Sequence, residues 1–345
     1  MNQLNVTPDF SNTQKPITER HEMLTITESG GHRTLRLNSS SLSVIQTCAR
    51  KSQYLLYDGW HGKTEADSLL YGRAMHKALE IFYEVDSKHR ELPQNFDRLA
   101  PCLTAETEPD EKHFIWDAMK AFVQVGDSLK NLPETDKRSL TSGIWVLSHY
   151  IKTYLHDGYS VYRDEKGPFL ERKFTIDYGE FSGISVHLFG TIDFAFQSEV
   201  NGTVLIGDHK TTSMMGNPFL TRIKPNHQYT GYLIGAKQAF GLDGEQFLIN
   251  GIGVKAKPVT SRGGPPTFTR QVTRRNETDF KEFRDVVAEA VHSYLRWKSL
   301  MTWPLGPVDA CSNYGGCQYL DVCAAPNQLR NNILESKFER TNYNG

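Results

Sequence analysis

Hydrophobic and polar positions follow two patterns along this chain, one typical of helices and one typical of strands. Apolar residues at helical spacing predict helices over about 42–57, 71–83, 140–155, 225–240 and 279–300. Apolar, β-branched and aromatic runs predict strands near 169–176, 190–196, 204–212, 247–257 and 267–273. Helices followed by strands that then alternate with single helices indicate an α/β or α+β core with a mixed sheet.

Two of the predicted strands carry acidic residues where apolar ones are expected. The apolar run that starts at Val204 ends at Asp208, Lys210 follows, and the preceding strand carries Asp193. Asn201-Gly202 lies between the strands and is a strong hairpin signal. In such a hairpin Asp193 falls opposite Asp208 or Lys210, depending on where the turn is centred. Because side chains alternate along a strand, Asp208 and Lys210 share one face.

Carboxylates at the ends of apolar strands are costly unless they bind something, and a divalent cation is the expected partner. The alternative is an ordinary ion pair at a strand end. His76 and Glu80 lie four residues apart on one face of a predicted helix, so either can reach such a cation. The alternative for His76 is a hydrogen-bonded histidine of the core.

Composition and charge narrow the class of protein only slightly. The chain has 345 residues, of which 38% are hydrophobic and 23% charged, which is enough for one large domain or two. The formal net charge of −1 means that a nucleic-acid partner requires a local basic patch. No run of eighteen apolar residues and no signal peptide is present, so we expect no membrane span and no export.

The chain has five cysteines, an odd number that argues against a disulfide framework. Three of them form the pattern Cys311-x5-Cys317-x5-Cys323, and this clustering suits ligation of a metal or a cluster. Cys48 lies alone in the first predicted helix, where a buried small hydrophobe is the ordinary interpretation. Cys102 has no partner at ligand spacing and is predicted to be a free thiol.

The order of short motifs along the chain resembles a known family. The motifs are the Ser-capped helix with Cys48, Gly72-x3-His76, the strand with Glu171, Gly190-Thr191-Ile192-Asp193, Asp208-His209-Lys210-Thr211, Gln228-x3-Tyr232 and the cysteine trio. This order resembles the RecB-like branch of the PD-(D/E)XK nucleases, in particular the members with an iron–sulfur staple: AddB-type nucleases, CRISPR-associated RecB-like exonucleases and exonuclease V. The resemblance covers about residues 39 to 325. It implies a restriction-endonuclease-like α/β core, with a central mixed sheet flanked by helices.

The same resemblance implies roles for individual residues. It implies that His76, Asp193, Asp208 and the backbone carbonyl of His209 bind Mg²⁺ or Mn²⁺. It also implies that Lys210 polarises the scissile phosphate or positions the attacking water. The remaining catalytic positions that it implies are Glu171, Gln228 and Tyr232.

The resemblance further implies that four cysteines hold a 4Fe–4S cluster: Cys48, Cys311, Cys317 and Cys323. Such a cluster ties the C-terminal segment to the first helix. The spacing of the cysteine trio departs from that of these relatives, which commonly have a tighter first gap. A structural Zn²⁺ site with four cysteine ligands therefore remains the alternative.

The predicted organisation has three parts. Residues 1–34 are polar and are predicted to be a flexible N-terminal tail, and residues 327–345 a C-terminal tail. Residues 35–326 form the RecB-like nuclease domain, with a helical insertion at about 86–138 and the C-terminal cysteine segment at 311–323.

These observations predict a metal-dependent DNA nuclease, expected to be an exonuclease that acts on DNA ends or single strands in recombination, repair or replication. The alternative is a catalytically silent DNA-binding assembly factor with the same fold. A helicase or recombination protein is a candidate partner, because the chain has no Gly-x4-Gly-Lys-Ser/Thr motif of its own. A cluster requires reducing conditions, so we expect a cytoplasmic protein. The sequence does not fix the oligomeric state.

Overall fold

The structure, a computed structural model, describes residues 24–29, 32–103, 112–258, 264–312 and 316–340. Its strands are β1 Leu24–Ser29, β2 His32–Leu37, β3 Trp60–Gly62, β4 Tyr159–Val161, β5 Arg163–Asp164, β6 Gly167–Pro168, β7 Leu170–Phe181, β8 Ile184–Ser198, β9 Val204–Thr212, β10 Gln246–Gly253, β11 Phe268–Arg274 and β12 Phe338–Arg340. Its α-helices are α1 Ser39–Thr47, α2 Ala49–Ser52, α3 Asp67–Tyr83, α4 Phe96–Leu99, α5 Phe114–Val125, α6 Leu140–Thr153, α7 Asn217–Leu220, α8 His227–Phe240, α9 Glu277–Leu300, α10 Asp309–Ser312, α11 Leu320–Ala324 and α12 Asn327–Lys337.

The long strand β8 organises the main sheet. It pairs in parallel with β2 and antiparallel with β7, β9 and β4. The sheet continues from β9 to β10 in parallel and from β10 to β11 antiparallel. A parallel pair requires a crossover, and the chain between β9 and β10 supplies it with α7 and α8. The predicted α/β fold with a central mixed sheet flanked by helices is therefore confirmed.

Helices cover both faces of this sheet and enclose two hydrophobic cores. Helices α1, α8 and α9 pack on one face, around residues such as Leu233, Val287 and Val291. Helices α3, α5 and α6 pack on the other face, around residues such as Phe122 and Leu147. Strand β9 contributes to both cores in alternation, with Leu205 on the α3–α6 side and Ile206 on the α8 side. Because of this alternation, successive side chains at the polar end of β9 face different helices.

The first helix ends at Thr47, earlier than predicted. Asn38 caps α1 by accepting a hydrogen bond from the amide of Ser41, and the Ser41 hydroxyl accepts one from the Asn38 amide. The helix stops before Cys48, whose backbone is extended. Helix α2 and a π-helical turn over Gln53–Tyr57 then complete the segment that was predicted to be one helix.

The structure differs from the prediction at both tails. Strands β1 and β2 form an antiparallel hairpin, and β2 joins the main sheet beside β8, so the described part of the predicted N-terminal tail contains ordered strands. At the other end, α12 and β12 occupy 327–340, and β12 pairs with β3. Local polarity misled the prediction, because these segments gain stability from pairing with distant strands. Residues 1–23 and 341–345 lie outside the described part of the chain.

Within the described residues, no helix combines the length and the apolar character that a membrane crossing requires.

Gly207 lies between its two pairing partners, Phe194 of β8 and Leu248 of β10, immediately before Asp208. A Cβ added there would overlap the Phe194 ring and the Leu248 carbonyl oxygen. We expect Gly207→Ala to lower the free energy of unfolding by about 2 kcal/mol or more, because the backbone of β10 cannot move aside. Urea denaturation measures this loss. The control is Gly244→Ala, whose added Cβ meets nothing within 4 Å, and an equal loss in both variants would contradict the prediction.

Candidate active site

The β8–β9 hairpin sets the geometry of the site. Phe194 pairs with Gly207, so the next position outward places Asp193 opposite Asp208, which is one of the two registers that the sequence left open. Gly202 has φ +71° and forms the turn, as the Asn201-Gly202 signal predicts. Asp193 and Asp208 are both buried although they lie at the polar end of the hairpin.

Three side chains from three elements converge beside this hairpin. His76 of α3, Glu171 of β7 and Asp193 of β8 each offer a ligand atom, and these atoms lie within 4.8 Å of one another. His76 Nδ1 is 3.3 Å from Asp193 Oδ2 and 3.9 Å from Glu171 Oε1. Glu80, the other acid considered on α3, instead pairs with Lys77 at 2.7 Å.

The peptide of His209 contacts two of these three residues. Its amide donates to Asp193 Oδ2 at 2.7 Å, and its carbonyl oxygen accepts from His76 Nε2 at 2.7 Å. With its Nε2 proton used in this way, neutral His76 presents the lone pair of Nδ1 to the carboxylates. The carbonyl predicted to be a metal ligand therefore contacts His76 in this structure.

Glu171 has an unusual backbone conformation. Its φ is +46°, in the left-handed region that non-glycine residues rarely adopt. The ladder between β7 and β8 registers Leu170 with Phe194 and Arg172 with Ile192, so Glu171 lies across from Asp193. Strained backbone of this kind clusters at functional sites, where the surrounding structure holds it in place.

Asp208 and Lys210 share a face of β9, as strand alternation predicts. Lys210 Nζ is 2.8 Å from Asp208 Oδ2. Asp208 is almost fully buried, whereas about a third of the Lys210 side chain is exposed. Asp208 lies outside the close group of three ligand atoms, and the ammonium group of Lys210 contacts one of its oxygens.

Helix α8 places two further predicted residues next to Asp208. Gln228 Nε2 donates to the Tyr232 hydroxyl at 2.9 Å and lies 3.5 Å from Asp208 Oδ1. The two residues are one turn apart on the helix, and Asn226 caps its N-terminus. The structure thus places all seven predicted catalytic residues around the polar end of one hairpin.

Burial and mutual charge shift the ionisation of this group. Burial, together with the Asp193 charge, raises the pKa of Glu171, and burial likewise raises the pKa of Asp193. Burial opposes a charge on His76, but the three neighbouring carboxylates outweigh it and raise the pKa of that imidazole. Burial also opposes the charge on Lys210, but Asp208 raises its pKa, so this lysine stays cationic at neutral pH.

This donor set suits a hard divalent cation. Two carboxylates and an imidazole are ligands that bind Mg²⁺ or Mn²⁺, and burial, with repulsion from neighbouring carboxylates, raises the pKa values of Glu171 and Asp193. A bound cation would relieve this repulsion. The chemistry of the residues therefore fits the predicted metal.

The cysteines do not form a comparably close group. Among the described residues, no three cysteine sulfurs lie within 4.8 Å of one another. The Cys48 sulfur accepts hydrogen bonds from the amides of Lys51 and Gly306, which lies in the segment leading to the cysteine trio. Burial raises the pKa of the Cys323 thiol, and the positive charge of Arg50 partly opposes this rise. Cys102 is exposed.

Sequence reasoning missed a group of residues behind the site. The His209 ring points to the opposite face of the sheet from Asp208 and Lys210, where its Nδ1 accepts from Asn250 Nδ2 at 2.7 Å. Burial lowers the pKa of His209 well below its usual value, so the ring is neutral. One signal was present in the sequence: Asn250 interrupts the apolar run of β10, where an amide is unexpected.

The family comparison agrees with this geometry. The profile of the PD-(D/E)XK nuclease superfamily matches residues 36–324, and the chain therefore belongs to that superfamily. It is a nuclease by family, and such nucleases generally use Mg²⁺ or Mn²⁺.

Two other comparisons add little. No curated protein matches the chain. Among solved structures, the chain is similar to a presumed exonuclease from Eubacterium rectale, with 15% identity over 84% of this chain and 93% of that one and a TM-score of 0.38. This similarity is too low to support any conclusion about this chain.

The ionisation of the site predicts how stability depends on pH. The folded state raises the pKa values of Glu171, Asp193 and His76, so it binds protons more tightly than the unfolded chain. Their contribution to the free energy of unfolding is present at low pH and is lost as pH rises from about 4 toward the raised pKa values. In chelator, we expect Asp193→Asn to stabilise the protein at pH 8 by about 1 kcal/mol or more, since it removes a buried charge.

Thermal melts at pH 6 and pH 8, with chelator and with Mn²⁺, test this expectation. Mn²⁺ should restore the stability of the wild-type protein at pH 8 and should leave the stability of the Asp193→Asn variant unchanged. Asp127→Asn, at an exposed pair with Lys130, is the control and should change neither melt. The assignment would be contradicted if, in chelator, the melting temperature of the wild type rose between pH 6 and pH 8 while that of Asp193→Asn fell.

Proposed function

We propose that this nuclease is a metal-dependent DNA exonuclease of the RecB-like branch, which acts on DNA ends or single strands. The observation that carries this proposal is the convergence of His76, Glu171 and Asp193 within 4.8 Å beside the Asp208–Lys210 pair. A silent binding factor has no need to keep uncompensated carboxylates and a cationic lysine at one point.

The roles follow from the geometry. His76, Glu171 and Asp193 would hold the divalent cation, with Asp208 as a further candidate ligand. When bound, the cation supplies positive charge that stabilises the phosphorane-like transition state and favours ionisation of the attacking water. Lys210 donates to a non-bridging phosphate oxygen, where negative charge develops. Asp208 keeps Lys210 charged and oriented, and Gln228 and Tyr232 hold the second oxygen of Asp208 in place.

A cavity beside Gln228 offers a path for the DNA strand. Its volume is about 700 Å³, and among the residues that line it are Ser39, Ser43, Gln46, Arg222 and Gln228. The described lining contains no aspartate or glutamate, so a phosphate meets no like charge there. Hydroxyls, amides and arginine are the groups that contact nucleic-acid backbones. A mainly polar lining without acidic residues suits a phosphate backbone even though the net charge of the protein is −1.

We also propose that Cys48, Cys311, Cys317 and Cys323 hold a 4Fe–4S cluster. The hydrogen bonds from Lys51 and Gly306 to the Cys48 sulfur support a bound thiolate, because backbone donors to sulfur are common around clusters. A cluster would join α2 to the segment after α9 and would place the protein in a reducing compartment.

The nuclease proposal predicts the effect of Lys210→Ala. We expect cleavage to fall about 10²- to 10³-fold, because a donor to the developing charge is lost. Lys237→Ala is the matched control, since Lys237 also lies 2.8 Å from an aspartate, but at an exposed pair. The assay follows end-labelled single- and double-stranded linear DNA and a closed circle, with Mn²⁺, Mg²⁺ or chelator.

Metal-dependent shortening of linear DNA with the circle intact is the expected outcome. Cutting of the circle would establish an endonuclease instead. If the wild-type protein, with its cysteine centre loaded, binds DNA but leaves every substrate intact, it is the DNA-binding assembly factor.

The cysteine proposal predicts the composition of the purified protein. Protein isolated without oxygen should be brown and should contain iron and acid-labile sulfide. Cys317→Ser should lose both, whereas Cys102→Ser should keep both, because Cys102 lies away from the centre and is exposed. A colourless wild-type protein with stoichiometric zinc would establish the zinc alternative.

A further inference from the structure

A chain of buried hydrogen bonds extends from His209 through the core on the α3–α6 side of the sheet. Asn250 Nδ2, which contacts His209 Nδ1, also donates to the Tyr150 hydroxyl at 2.5 Å. The Tyr150 and Tyr83 hydroxyls are 2.6 Å apart. Tyr83, Tyr150 and Asn250 are fully buried.

The chain ends at a buried ion cluster. Arg270 donates to the Tyr83 hydroxyl at 2.8 Å and to Asp157 Oδ2 at 2.6 Å. Arg90, also fully buried, lies 3.5 Å from the other Asp157 oxygen. Asp157 thus lies between two guanidinium groups inside the protein, where an unpaired carboxylate would be very costly. The contacts of Arg270 with Tyr83 and Asp157 anchor the far end of the chain, while Arg90 Nη2 and Arg270 Nε have no hydrogen-bond partner among the described residues.

This chain fixes the one residue whose peptide contacts both His76 and Asp193. The ring of His209 is held at Nδ1 by Asn250 and packs between two aromatic rings, with the Tyr83 ring centroid at 5.8 Å and that of Phe194 at 4.6 Å. Without the contact to Asn250, the ring would no longer oppose a shift of the His209 backbone. The hydrogen bonds to His76 Nε2 and Asp193 Oδ2 would then both be misaligned.

We propose that Asn250, Tyr150 and Tyr83 are positioning residues that hold the His209 peptide in place and thereby set the affinity of the site for a divalent cation. This inference rests on the proposed metal site. Among the described residues, these three side chains reach the candidate ligands through His209 and not by contacts of their own. They come from β10, α6 and α3, so the helical layer that covers the sheet on this side takes part in the chemistry as well as in the fold.

Tyr150→Phe tests the proposal with little change of shape. It removes the hydroxyl that joins Asn250 to Tyr83, and we expect the dissociation constant for Mn²⁺ to rise at least tenfold, as for other residues that orient metal ligands. Calorimetric titration with Mn²⁺ in the absence of DNA measures this. In the cleavage assay, the rate should recover at high Mn²⁺, which a loss of folded protein would not allow.

Tyr71→Phe is the matched control. Tyr71 lies on α3 like Tyr83 and is equally buried, but its hydroxyl has no hydrogen-bond partner among the described residues. Its Mn²⁺ affinity should equal that of the wild type. Should Tyr150→Phe fail to fold, Tyr83→Phe breaks the same chain one step further away and should weaken Mn²⁺ binding in the same direction.

The outcomes separate this inference from the proposed function. Unchanged Mn²⁺ affinity in a folded Tyr150→Phe or Tyr83→Phe variant would overturn the positioning role. Equal weakening in Tyr71→Phe would overturn it as well. A wild-type protein that binds Mn²⁺ yet cleaves no DNA would count against the nuclease proposal alone, and one that binds no Mn²⁺ would overturn both.

Discussion

The hydrogen bond from the His209 amide to Asp193 is the interaction on which the candidate site depends. It joins the two strands of the β8–β9 hairpin one step beyond their last ladder pair, and the His209 carbonyl extends the contact to His76. The backbone of β9 thereby fixes side chains from β8 and α3. Side-chain alternation along β9 places Asp208 and Lys210 on the α8 face of the sheet and His209 on the α3–α6 face.

The two faces of β9 therefore have different tasks. On the α8 face, Lys210 is partly exposed and pairs with the buried Asp208, which lies next to Gln228. On the opposite face, His209 and Asn250 begin the chain of hydrogen bonds that we propose holds the His209 backbone in place. The proposed roles thus place the reacting groups on one face of β9 and their support on the other.

Uncompensated charge is the cost of this arrangement. Burial and mutual repulsion raise the pKa values of Glu171 and Asp193, and Glu171 also carries backbone strain. The stable β8–β9–β10 pairing sustains these unfavourable features without a ligand. A bound divalent cation would then find its ligands assembled in advance.

The sequence by itself determined the mixed α/β sheet, the hairpin at Asn201-Gly202 and the shared face of Asp208 and Lys210, because these follow from local periodicity and turn chemistry. It also indicated the family through the order of short motifs.

Only the tertiary structure showed that the hairpin register places Asp193 opposite Asp208. It alone also showed that 24–29 and 32–34 belong to strands and that 327–340 form a helix and a strand. The tertiary structure alone also revealed the chain from His209 to Arg270. The physical reason is the same in each case: these features depend on pairing and hydrogen bonds between residues far apart in the sequence, which no local pattern records.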